Sequence, residues 1–137
     1  MRIVHERPPN WDKIYAELGP FYRTGIIFTY GDTVYMPDGG ELAPDLEAHE
    51  AIHVLQQADD PEGWWDKYLS DVVFRLGQEV QAHQAEYAYL KNEARLPRPV
   101  RRRAARNIAK RLSGPLYGNL INFGAALLLV KGKGSWD

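Results

Sequence analysis

The chain contains no cysteine. Disulfides and thiolate metal sites are therefore excluded, and a reducing compartment suits the composition. Net charge is also scarce: 17 Lys and Arg against 18 Asp and Glu leave −1 at pH 7, so no global field draws the chain to nucleic acid or an anionic membrane. The first residues, Met1-Arg2-Ile3-Val4-His5-Glu6-Arg7, have no apolar stretch behind their charge, which argues against a secretory leader and makes the cytoplasm the expected location. Long hydrophobic runs are few. The strongest, Leu116 to Val130, is shorter than a spanning helix needs and is interrupted by Asn119 and Asn122, so a buried terminal helix is expected and no membrane span. There is no internal repeat and no linker long enough to separate domains. The 137 residues, 45% apolar and 26% charged, suit a single domain over residues 1–137 with a sizeable core.

What the chain does contain is His49-Glu50-Ala51-Ile52-His53, an HExxH motif. Residues four apart on an α-helix lie one turn apart on the same face, so His49 and His53 can both aim a ring nitrogen at one metal ion. Glu50 then stands beside that metal, where its carboxylate can take a proton from a water held there. The bland alternative is an exposed helix that carries these residues by coincidence. The flanks favour a formed helix. Pro44 suits a first turn, Asp45 and Glu47 suit the positive N-terminal end, and Asp59-Asp60-Pro61 stops it. The expected helix runs from about Pro44 to about Ala58, with Leu46, Ile52, Val54 and Leu55 available for burial.

Other elements follow from punctuation and periodicity. Asn10 reads as the N-cap of a short helix carrying Trp11, Ile14, Tyr15 and Leu18, ended by Gly19-Pro20. Thr24 to Tyr30, Gly31-Asp32 and Thr33 to Met36 read as a β-hairpin, followed by the loop Pro37-Asp38-Gly39-Gly40. Trp64, Trp65, Tyr68 and Leu69 suggest a short aromatic helix capped by Asp60. A long helix is expected from about Asp71 to about Glu93, a basic helix from about Val100 to Leu112, and a last apolar helix before a frayed Lys131 to Asp137. The metal-site core would thus occupy about residues 25–95 and the C-terminal helices about 98–130.

Two histidines do not complete a catalytic zinc site, which takes three protein ligands and leaves one position for water. The long helix carries a stripe of Val72, Leu76, Val80, Tyr87 and Leu90, and Glu79, His83 and Glu86 fall in the sector of Val72, Leu76 and Leu90. Polar groups on a core-facing stripe are costly without partners, and a metal with its supporting shell would supply them. Glu79, about 25 residues after His53, is the expected third ligand. His83 and Glu86, one and two turns further, would receive a ligand histidine's ring N–H or orient a substrate, with His83 the next candidate ligand.

These residues resemble the zincin metallopeptidases, and in particular their glutamate-ligand branch, the gluzincins. The resemblance implies a minimal zincin-like, mostly helical α+β domain with a small hairpin or sheet before the HExxH helix. It implies Zn²⁺ on His49, His53 and Glu79, Glu50 as general base, and a peptide or protein substrate held by strand pairing along the hairpin from Ile26 to Met36. It also implies a tyrosine or histidine near the developing oxyanion, for which Tyr117 and His83 are candidates. The metzincin extension is absent, because Gln56 and Asp59 stand where glycine and a third histidine belong. His49 to Gln57 is similar to the motif of small metallopeptidase-like domains of phages and contractile injection systems, and Glu79-Val80-Gln81-Ala82-His83 is similar to the third-ligand helix of small gluzincins that cleave repressors. The similarity covers about residues 25–90. It adds a phage-related or virion-associated setting to the cytoplasmic one.

The expected activity is zinc-dependent peptide-bond hydrolysis, falling in acid because His49 and His53 must be neutral to bind metal. The alternative is a non-catalytic zinc-binding structural component of a phage or injection-system particle, in which Glu50 has no role. The run Arg98, Arg101, Arg102, Arg103, Arg106, Lys110 and Arg111 reads by default as a solvated face, with Val100, Ala104, Ile108 and Leu112 inward; contact with nucleic acid or an acidic partner is its other reading.

Overall fold

The N-terminal residues Arg2–Val4 form a strand, β1, in a computed structural model that describes residues 1–132. Six α-helices and one three-stranded sheet form among the described residues, which is the mostly helical α+β class expected. The tail expected to fray lies, from residue 133 onward, outside them.

β1 pairs in parallel with β3 (Thr33–Tyr35), which pairs antiparallel with β2 (Phe28–Tyr30), giving the order β1-β3-β2. Phe28 faces Tyr35 and Tyr30 faces Thr33. Gly31 takes a φ of 65° in the two-residue turn, a conformation that costs glycine nothing. The hairpin is shorter than expected, since Thr24 to Ile27 lie outside the ladder. β1 was not expected, because its three residues are mostly exposed and leave no alternation in the sequence.

α1 (Trp11–Leu18) leads through a 3₁₀ turn into the sheet. Asn10 precedes it but makes no capping bond, contrary to the expectation. α2 (Pro44–Gln57) carries the motif. α3 (Pro61–Ser70) is capped by Asp60, whose Oδ1 accepts from the Gly63 N–H at 2.9 Å. α4 (Val72–Asn92) is capped by Asp71, which accepts from the Val73 and Phe74 N–H groups. α5 (Arg98–Leu112) begins two residues earlier than expected, with Pro99 accommodated in its first turn. Its buried residues are Ala105, Ile108, Ala109 and Leu112; Ala104 is only half-buried and Val100 is 48% exposed, so the inward stripe is rotated from the expected one. The apolar tail is divided. Pro115–Tyr117 form a 3₁₀ turn, Asn122 caps by accepting from the Ala125 N–H, and α6 is only Phe123–Val130. No helix among the described residues is long and apolar enough to cross a membrane.

Two apolar clusters flank the site. One joins α4, α5 and α6 through Leu76, Val80, Ile108, Leu112 and Leu129; the other joins α1, β2 and α3 through Ile14, Phe28, Trp64 and Trp65. α2 lies chiefly against α4. Its buried residues are His49, Glu50, His53 and Gln57, all polar, while Leu46, Ile52 and Val54 are only half-buried and Leu55 is 74% exposed. The expectation of an apolar buried face on this helix is thus reversed.

Candidate metal centre

A helix that buries four polar side chains must give each a partner, because an unpaired buried polar group costs about 1–3 kcal/mol. Each has one. His49 and His53 project from successive turns of α2 toward Glu79 on α4. The Glu79 Oε1 lies 2.8 Å from His53 Nε2 and 3.2 Å from His49 Nε2, and the two Nε2 atoms lie 3.2 Å apart. Three donors bound to one tetrahedral ion at about 2.0–2.1 Å stand about 3.3–3.4 Å from one another. The triangle found here is close to that size. These buried His and Glu groups could hold a metal ion.

The tautomers are set from behind. Glu86 Oε1 accepts from His49 Nδ1–H at 2.9 Å, and a carboxylate can only accept. Gln56 Nε2 donates to the Gln78 carbonyl and to Gln81 Oε1, both at 3.0 Å, which turns Gln56 Oε1 to accept from His53 Nδ1–H at 2.8 Å. Both imidazoles therefore direct Nε2 to the same point, as metal-binding histidines do. Burial alone would lower the pKa of His49, but bonds to Glu79 and Glu86 and the charge of Glu50 raise it to about 10. His53 is pushed down by burial and by His49, and up more strongly by Glu79. Two protonated Nε2 atoms 3.2 Å apart would repel, so a cation accepting both lone pairs matches this geometry better than two protons.

Glu79 has a side chain 12% exposed and its second oxygen is also taken. Tyr68 Oη donates to Oε2 at 2.7 Å, and Tyr117 Oη reaches it at 3.5 Å. Burial would raise the Glu79 carboxyl, but the two histidines hold it well below the usual carboxylate range. Burial and the Glu79 charge keep both phenols protonated, far above 10. Arg75, buried on α4, seats the tyrosines. Its Nε and Nη2 donate to the Tyr68 and Leu69 carbonyls, which end α3 and lack helical partners, and its Nη1 donates to the Leu116 carbonyl beside Tyr117. Gly118 then turns the chain at a φ of 69°, where a Cβ would meet Val72 at 3.2 Å.

Glu50 sits apart from the triad. Its Oε2 accepts from Thr29 Oγ1 at 2.6 Å, a bond from β2. The Thr29 carbonyl accepts from Gln57 Nε2 at 2.7 Å and Trp65 Nε1 at 2.9 Å, and Gln57 Oε1 accepts from the Gly31 N–H at 2.7 Å. Gln57 thus fastens α2 to the hairpin, and this carbonyl is not free to pair with an added strand. His83 Nδ1–H donates to Glu86 Oε1 at 2.9 Å, with its ring 4.4 Å from that of His49. Burial and the neighbouring His49 outweigh Glu86 and lower the pKa of His83, so it is neutral. His49, His83 and Glu86 form a second grouping of possible ligands, but its three atoms are already joined by two hydrogen bonds.

A cavity of about 380 Å³ adjoins the centre. His49, Glu50, His53, Glu79, His83 and Tyr117 line its polar end, and α1, β2 and the segment between them supply apolar walls. All seven residues picked from the sequence therefore meet: three in the triad, Glu86 behind His49, and Glu50, His83 and Tyr117 beside it. Tyr68, Thr29 and Arg75 were not singled out, and Gln56 and Gln57 entered only through the resemblance of the motif, without a role. Adjacent glutamines at the end of the motif helix were a visible signal; Tyr68 and Thr29 were hidden in what read as aromatic and strand packing. Comparison of the chain with protein-family models, curated proteins and solved structures finds no match.

Proposed function

We propose that this chain is a zinc-dependent peptidase. The observation that carries the reading is a buried set of three donors, His49, His53 and Glu79, at the end of a cavity that also contains the unligated carboxylate Glu50. Structural zinc sites close with four protein ligands, whereas catalytic sites use three. Two nitrogens, one carboxylate oxygen and no sulfur favour zinc among the divalent ions of this geometry. Zinc, when bound, supplies a Lewis acid that acidifies water and polarises a carbonyl.

The side chains divide the remaining work. Glu86 and Gln56 hold the imidazoles in the tautomer that exposes Nε2. Tyr68 holds the outer oxygen of Glu79. Thr29 fixes one oxygen of Glu50 and leaves Oε1 to take a proton from the attacking water and hand it to the leaving amine. His83 is neutral and its Nδ1–H is committed to Glu86, so it accepts at Nε2 and does not donate to an oxyanion. Tyr117 keeps its proton and only a long bond to Glu79, so it is the side chain that turns to the oxyanion. The Thr29 carbonyl is occupied, so the peptide lies in the cavity with its side chains on the apolar walls, held without a full strand pairing along β2.

The test is zinc-loaded protein on a mixed peptide library, beside Glu50→Gln. The variant should keep its zinc and lose at least about 100-fold in hydrolysis. Equal hydrolysis by both would remove Glu50 from the chemistry. No hydrolysis by the zinc-loaded wild type would favour the structural zinc-binding role.

A further inference from the structure

Charge is unevenly spread along this chain. Residues 1–93 hold 17 of the 18 acidic residues and 7 of the 17 basic ones, whereas residues 94–137 hold the other 10 basic residues and one acid, Asp137. The near-zero net charge therefore conceals an acidic part and a basic part. The helix α5 concentrates the basic part. Its apolar stripe is used up in the core against α4 and α6. The side away from that stripe carries Arg103, Arg106 and Lys110, and Arg102 and Arg111 stand on its two flanks, half a turn apart; all five are exposed. Among the described residues none of the five has a carboxylate within ion-pair distance. Arg102, Arg106 and Lys110 stand at successive i,i+4 positions, where like charges repel. A face that served solubility alone would interleave acids, and there is none between Glu93 and Asp137.

We propose that this face of α5 binds the phosphate backbone of nucleic acid without reading its sequence. The 15 residues of α5 span about 22 Å, along which a DNA duplex presents on the order of 13 phosphate charges. Four of the five exposed cations are guanidinium groups, which match phosphate oxygens in pairs. A lipid surface is the poorer fit. A helix that lies in a membrane interface inserts its apolar face, and the apolar face of α5 is locked in the core. Arg111 also lines the cavity of the metal centre, so the basic face ends beside the candidate active site. The proposal stands independently of the peptidase reading.

The experiment is fluorescence anisotropy of a labelled DNA duplex of random sequence, titrated with the full chain at several salt concentrations. Five contacts give a log–log salt slope of about −4.5, a loss of about 500-fold in affinity between 50 and 200 mM salt. Replacing Arg102, Arg103, Arg106 and Lys110 together by Gln should leave a slope of about −1 and a loss of about fourfold, and Arg106→Gln alone should flatten the slope by about 0.9. The threefold Lys variant at Arg102, Arg103 and Arg106, with Lys110 kept, should retain the parent slope. No duplex binding at 50 mM salt, or an unchanged slope in the Gln variants, overturns the proposal. So does binding to phosphatidylserine vesicles with none to the duplex, or low-salt self-association through this face in place of duplex binding.

Discussion

Glu86 offers the sharpest perturbation of the centre, because one oxygen of it accepts from His49 and His83, each at 2.9 Å. Burial alone would raise its carboxyl; the two imidazole bonds outweigh burial and bring it from 4.5 to about 2. That interval corresponds to about 3 kcal/mol in favour of the carboxylate. Its folded pKa lies below the unfolded one, so in the metal-free protein this contribution is complete above about pH 4.5 and is lost as pH falls through about 2. Glu86→Gln leaves an accepting oxygen in place and removes the charge behind His49. Metal affinity should fall about 10- to 100-fold, or about 1.4–2.7 kcal/mol, read by competition with a chromophoric chelator. Glu86→Leu keeps the bulk and leaves both imidazole N–H groups without an acceptor. Urea unfolding of the metal-free variant should show a loss of about 2–6 kcal/mol, at about 1–3 for each group. Glutamine binding metal within about twofold of wild type would refute the view that the charge of Glu86 supports His49 as a ligand.

The proton held by His49 makes metal binding pH-dependent. The folded pKa of His49 is raised, so in the metal-free protein its contribution is complete below about pH 6.5 and disappears as pH rises through about 10, while metal affinity should climb about tenfold per pH unit across that window. Calorimetry at pH 7.5 in buffers of different ionisation enthalpy should record proton release, and a buffer-independent heat would contradict it. Tyr68→Phe removes the 2.7 Å bond to Glu79 and should weaken metal binding about tenfold, whereas Tyr117→Phe, at 3.5 Å, should change it much less; equal losses would undo that ranking. Gln57→Leu leaves the Gly31 N–H without its partner, while the Thr29 carbonyl keeps Trp65 Nε1, and should lower stability by about 1–3 kcal/mol in urea titration, with no change expected in metal stoichiometry.

Helix positions were legible from the sequence because their ends are written locally. Asp60 caps α3 as its sequence position indicates, Asp71 stands at the expected start of α4 and caps it, and Pro44 opens α2. The approach of Glu79 to His49 and His53 was legible for a different reason: a carboxylate on an otherwise apolar stripe needs a partner. What stayed hidden depends on how elements cross. Tyr68 meets Glu79 across the break between α3 and α4, and Thr29 meets Glu50 across the gap between β2 and α2. No local period records such meetings. The apolar residues of α2 misled for a related reason. Leu46, Ile52, Val54 and Leu55 are the residues that burial normally selects, yet the helix turns His49, Glu50, His53 and Gln57 inward.

That inversion bears on why the centre exists. A helix seeking burial alone would turn Leu55 in and His53 out, gaining about 1.5–3 kcal/mol for the leucine and avoiding the desolvation of an imidazole. The observed orientation is held by a chain of bonds reaching four other elements: Thr29 on β2, Trp65 and Tyr68 on α3, Glu79 and Glu86 on α4, and Leu116 at the turn before α6. Four of these bonds lie at or one step behind His49, Glu50 or His53, the bond to Leu116 stands further back, through Arg75, Tyr68 and Glu79, and such a network is favourable only when every member is satisfied. The place where it is least satisfied is the space between the two Nε2 atoms, 3.2 Å apart with an anionic oxygen beside them. A proton can serve one of those nitrogens at a time. A divalent cation serves both together with the carboxylate, and so removes the one conflict that this packing otherwise retains.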